Sequence, residues 1–164
     1  MEREGYARRQ AMNTQGFQRL PDIVGDDDAD TALLLQMAEA ARNYITSFDW
    51  CPPINAIHLA SGVGGLVAVF LFKFSRKIRQ TDDHLWVVVG DLPTAYLVVE
   101  PDDSPSQALE RYCDLMEEWI AAVRDTGKLS EVFPVTAEPT PENADALEKR
   151  IAFLLAEIIP RMIQ

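Results

Sequence analysis

The chain has 164 residues, 48% of them hydrophobic, enough to bury one substantial core and too few for two ordinary domains. With 15 basic against 26 acidic residues it carries a net charge of −11, which argues against a phosphate-backbone binder and favours a basic protein partner. Two cysteines, Cys51 and Cys113, make no disulfide framework, and a charged start without an apolar h-region reads as neither exported nor membrane-inserted, so a cytoplasmic protein is expected.

Residues 1–28 show little periodicity and read as an N-terminal tail, mobile or docking, ahead of a single domain over 29–164. Tyr6, Met12, Phe17, Leu20, Ile23 and Val24 are more apolar than a solvated linker needs, which gives the tail something to dock with. A first helix is predicted to start near Asp28 or Asp30, either of which can cap it, with Leu34, Met37, Ala38, Ala41, Ile45 and Phe48 on one face. The stretch Trp50-Cys51-Pro52-Pro53 ends it, because the residue before a proline is pushed out of helical geometry.

Four strand-like segments follow, at about 54–60, 65–75, 84–90 and 94–100, joined by short connections that predict antiparallel pairing. The apolar run Leu59 to Phe72 is shorter than the roughly 20 residues of a membrane-spanning helix, and its glycines at 62, 64 and 65 fit a hairpin turn better. Leu85-Trp86-Val87-Val88-Val89 is apolar throughout, which implies cover on both faces.

Two helices complete the chain. Ser104, Pro105 and Gln107 form a capping box before the apolar face Ala108, Leu109, Tyr112, Met116, Trp119, Ile120 and Val123, with Gly127 placed as C-cap. Thr140 and Pro141 open the last helix, and Pro160 is expected to stop or kink it. The expected fold is α+β: a two-layer sandwich in which a four-stranded antiparallel β-meander is covered on one face by about three helices, in the order α-β-β-β-β-α-α. An open face would leave Phe70, Phe72, Trp86 and Val88 partly unsheltered, which argues for a homodimer.

Chemistry is sparse in this chain. His58 and His84 sit in no HxxxH, HxxE or CxxC pattern, and Asp82-Asp83-His84 reads as a solvated turn rather than a metal site, so no metal or cofactor is expected. Ser61-Gly62-Val63-Gly64-Gly65 lacks the following helix and Lys-Ser/Thr of a phosphate loop. An enzyme would have to draw on Asp91 at a strand end, on His58, or on Cys51 as nucleophile. The aromatics are core by default, but Trp50, Trp86 and Tyr96 become interface anchors if any two are exposed together.

The segment Leu85-Trp86-Val87-Val88-Val89-Gly90-Asp91-Leu92-Pro93-Thr94-Ala95-Tyr96-Leu97, with Ala108-Leu109-Glu110-Arg111-Tyr112 and the Pro134 to Pro141 stretch, resembles an uncharacterised family of small bacterial proteins over roughly residues 40 to 160. The resemblance implies a bacterial, cytoplasmic protein and no particular activity. Two readings of function follow. The first is a non-catalytic acidic protein-interaction module, adaptor or immunity-like, binding a basic protein and neither nucleic acid nor membrane. The second is a small hydrolase or small-ligand enzyme using Asp91, His58 or Cys51, which requires those side chains to converge in one pocket.

Overall fold

A computed structural model describes residues 14–78, 82–125 and 128–162. Five strands, β1 (Gln18–Arg19), β2 (Ile54–Val63), β3 (Val67–Phe74), β4 (His84–Gly90) and β5 (Ala95–Val98), form one antiparallel sheet in sequence order. Helix α1 (Asp28–Thr46) precedes β2, while α2 (Pro105–Arg124) and α3 (Pro141–Phe153) follow β5. The mixed α+β class and the meander agree with the sequence, with five strands in place of four. The added strand comes from the tail, two residues too few to show a period.

The layering differs from the one-face expectation. Alternate residues of the central strands point to opposite faces. Val69, Leu71, Trp86, Val88 and Leu97 pack under α2 and α3 with Leu109, Tyr112, Met116 and Ile151. Phe70, Phe72, Leu85, Val87 and Val89 pack under α1 with Leu34, Ala38, Ala41 and Ile45. The sheet is therefore sandwiched between one helix and two, and β4 is covered on both faces as its unbroken apolar run implied. The open face that argued for a dimer is filled by the chain's own α1.

The segment before α1 is part of this packing. Leu20 N–H donates to Ile57 C=O at 2.9 Å, Phe17 sets its ring edge against Trp86 at 6.2 Å, and Ile23 is buried beneath α1. Tyr6 and Met12 lie outside the described residues, and Val24 is exposed. The N-cap of α1 is Asp27, whose carboxylate accepts from Asp30 N–H at 2.8 Å. Asp30 instead accepts Gly64 N–H at 2.8 Å, tying the start of α1 to the β2–β3 turn, which begins three residues later than the glycine pattern implies.

The N-caps of α2 and α3 are the expected Ser104 and Thr140, but the capping box is only half formed, since Ser104 N–H donates to Asp103 Oδ1 at 3.1 Å rather than to Gln107. Ser104 Oγ accepts Gln107 N–H at 3.2 Å and Thr140 Oγ1 accepts Asn143 N–H at 3.2 Å, each with proline in the first turn. Helix α2 closes at Asp125, and Gly127 lies outside the described residues. Helix α3 widens into a π turn over Leu154–Ile158 and then a 3-10 turn over Ile159–Arg161. Pro160 has no amide hydrogen and its ring crowds the carbonyl four residues back, so the hydrogen-bond ladder rearranges before reaching it.

Candidate functional site

The three catalytic candidates occupy three separate places. Cys51 stands at the entry to β2 and packs at the margin of the α1 core, its thiol donating to Pro52 C=O at 3.3 Å. Burial pushes that thiol up, away from the thiolate a nucleophile needs. His58 lies between Ile57 and Leu59, both turned toward α1, and so faces the other side of the sheet. Burial, then the charges of Arg19, His84 and Lys73, hold its imidazole neutral, with Nδ1 buried and unpartnered. Asp91 is exposed beyond the end of β4 and pairs loosely with Arg150 of α3 at 3.3 Å. A cavity of about 390 Å³ is lined by Asp91, Trp119, Asn143 and Arg150, without Cys51 or His58.

The interface candidates fare differently. Trp86 is fully buried, and its indole N–H donates to Asp103 at 2.8 Å, so it belongs to the core. Trp50 and Tyr96 come together with ring centres 5.3 Å apart and remain half-buried. Phe48 stacks on Trp50 at 5.0 Å and meets Tyr96 edge-on at 5.4 Å, while Tyr44 and Phe133 close the cluster from α1 and from the segment before α3. Two residues beyond Tyr96 on the same face of β5, Val98 is 47% exposed. Local sequence explains the gathering: Asp49-Trp50-Cys51-Pro52 leaves α1 at the level of β5, and the helix period puts Tyr44 and Phe48 on one side.

The α1 side of this patch is negative, while Arg111 borders it at Val98 C=O, 3.2 Å away. The patch sits at the C-terminal end of α1, where unpaired carbonyls carry about half a negative charge. Thr46 and Ser47 hydroxyls donate to the carbonyls of Arg42 and Tyr44, but the last turn holds no basic residue. Exposed Asp49 adjoins Trp50, while Glu100, after β5, lies 3.7 Å from Arg111. The Tyr44 phenol is pushed up to about 12 by burial and by Tyr96.

Asp82, Asp83 and His84 form a compact acid–base cluster where the chain enters β4, their three ligand-type atoms all within 4.8 Å of one another. His84 Nδ1 lies 2.8 Å from Asp83 Oδ1 and 3.6 Å from Asp82 Oδ1, off the line of a good hydrogen bond. Lys73 stands opposite His84 on β3 and adds positive charge to the same end of the sheet.

Asp103 is the residue that sequence reasoning missed. Its side chain is 1% exposed and accepts from Trp86 Nε1, Glu100 N, Ser104 N and both terminal nitrogens of Arg111 at 2.7 to 3.1 Å. Burial opposes its charge, but the hydrogen bonds from Arg111, the Glu100 amide and the Trp86 indole together hold the carboxyl below its usual range. The local clue is Asp102-Asp103-Ser104-Pro105, an acid at the mouth of a helix. Its partners, 17 residues back and 8 ahead, have no local signature.

No protein-family model, curated protein or solved structure matches this chain. The resemblance carried by the Gly90-Asp91-Leu92-Pro93 segment gains no support from these comparisons. Among the described residues, no helix is long and apolar enough to cross a membrane.

Proposed function

We propose that this chain is a non-catalytic protein-interaction module that takes a basic protein partner, in the manner of an adaptor or immunity protein, through the aromatic patch of Trp50, Tyr96, Phe48 and Val98. The observation that carries the reading is the half-exposed stack of Trp50 on Phe48 and Tyr96 at a helix C-terminus with no basic residue in its last turn. Aromatic anchors concentrate binding energy at protein interfaces. A guanidinium or ammonium over Trp50 gains from the ring face, the helix end and Asp49 together. The net charge of −11 steers such a partner toward the molecule. The dispersal of Asp91, His58 and Cys51 over three places weighs against the enzymatic reading.

Trp50 is also a reporter, since the other two tryptophans, Trp86 and Trp119, are buried. Titration with a peptide alternating arginine and leucine is expected to change tryptophan emission saturably. Reversing Asp49 to lysine weakens binding about threefold, and added salt weakens it further. An emission that does not respond, or an affinity unchanged in the reversed variant, contradicts the proposal.

A further inference from the structure

We infer a second docking surface of opposite charge, at the outer edge of β2, for an extended protein segment carrying acidic side chains. β2 runs from Ile54 to Val63, yet β1 covers only its Leu59 and His58. One further bond among the described residues reaches this edge, from Leu20 N–H to Ile57 C=O at 2.9 Å. There the chain leaves: Pro21 has no amide hydrogen to offer, and Asp22 N–H folds back to Arg19 C=O at 2.7 Å. The first residues of β2, Ile54 to Ala56, therefore face a groove of about 570 Å³. A register shift between Ile54 and Ala56 takes Asn55 out of the β3 ladder, so its polar groups join the lining.

The charge of the groove identifies the occupant. Arg19 and Arg42 line it from the two sides, both exposed, and neither forms an ion pair among the described residues. Arg111, Arg124, Arg150 and Arg161 all pair with carboxylates. In a chain with 26 acids, two uncommitted arginines facing one groove are a local reversal of sign. An unpaired strand edge accepts an added strand through main-chain hydrogen bonds, and side chains flanking it set which sequence is taken. Arginine suits carboxylates because its planar fork donates two parallel hydrogen bonds. The occupant is an extended segment that pairs with the start of β2 and presents carboxylates on both of its faces, one to Arg19 and one to Arg42.

A selection from a random peptide library displayed on phage, using the intact protein as bait, tests this. The recovered peptides are expected to carry acidic residues an odd number of positions apart among β-branched or aromatic ones, and to bind Arg19→Glu/Arg42→Glu at least about tenfold more weakly. Both side chains are exposed and form no ion pair among the described residues, so circular dichroism should match the parent; Arg19→Gln/Arg42→Gln is the milder second variant. N-methylation of alternate peptide amides removes strand pairing while keeping charge, and is expected to abolish binding. Peptides without acidic enrichment, equal affinity for the reversed and neutralised variants, or full binding after N-methylation would each overturn the inference. Trp50→Ala leaves this binding unchanged, which separates its outcome from that of the aromatic patch.

Discussion

Asp103 shows how one residue joins layers that local sequence treats as separate. Its carboxylate holds Trp86 of the sheet, the start of α2 and Arg111 at once. Removing one partner of such a pair leaves the other charge poorly compensated, at about 3–5 kcal/mol when both are fully buried. Arg111 is partly exposed, so Asp103→Asn is expected to cost somewhat less, about 2–3 kcal/mol, read as a lowered urea midpoint at unchanged slope. The folded pKa of Asp103 is depressed, so its contribution is present above the unfolded value near 3.9 and is lost as pH falls through the folded value.

His58 works in the opposite part of the pH scale. Its folded pKa lies below the unfolded value near 6.5, so the unfolded chain takes up a proton first. Stability is therefore expected to fall as pH drops from about 6.5 through the folded value, and His58→Leu should flatten that slope. Proton NMR titration of the His58 ring checks the direction directly. An imidazole titrating at or above 6.5 would contradict it.

At the scale of elements, the β4–β5 turn is the most constrained connection. Gly90 has φ +152°, and a Cβ there would lie 2.2 Å from Leu66 C=O. Gly90→Ala is accordingly expected to destabilise by more than about 2 kcal/mol, or to prevent soluble expression, because the obstruction is backbone and cannot swing aside. Thermal unfolding of the variant measures it. The helix caps at Ser104 and Thr140 were legible because a cap is written in four consecutive residues. The short β1 was not, and neither was the division of helices between the two faces. An amphipathic helix declares that it has an apolar side, but both sides of β3 and β4 are equally apolar and offer no preference. The approach of Trp50 to Tyr96 was likewise out of reach, since it depends on where α1 ends relative to β5.

At the scale of the whole molecule, the fold separates two kinds of surface. The α1 C-terminal end presents aromatic rings in a negative setting, whereas the free edge of β2 presents two arginines. Helices on both faces seal the sheet, so association has to use such local patches rather than an open apolar face. The expected complex is sensitive to ionic strength and governed by a few aromatic contacts. The direct measurement is affinity capture of the tagged chain from its own host, beside Trp50→Ala, with bound proteins identified by mass spectrometry and the eluate's mass measured by light scattering. The account predicts one stoichiometric basic protein with the parent chain and its loss with Trp50→Ala. Recovery of the chain without a basic protein, or a basic partner retained undiminished by Trp50→Ala, would contradict it.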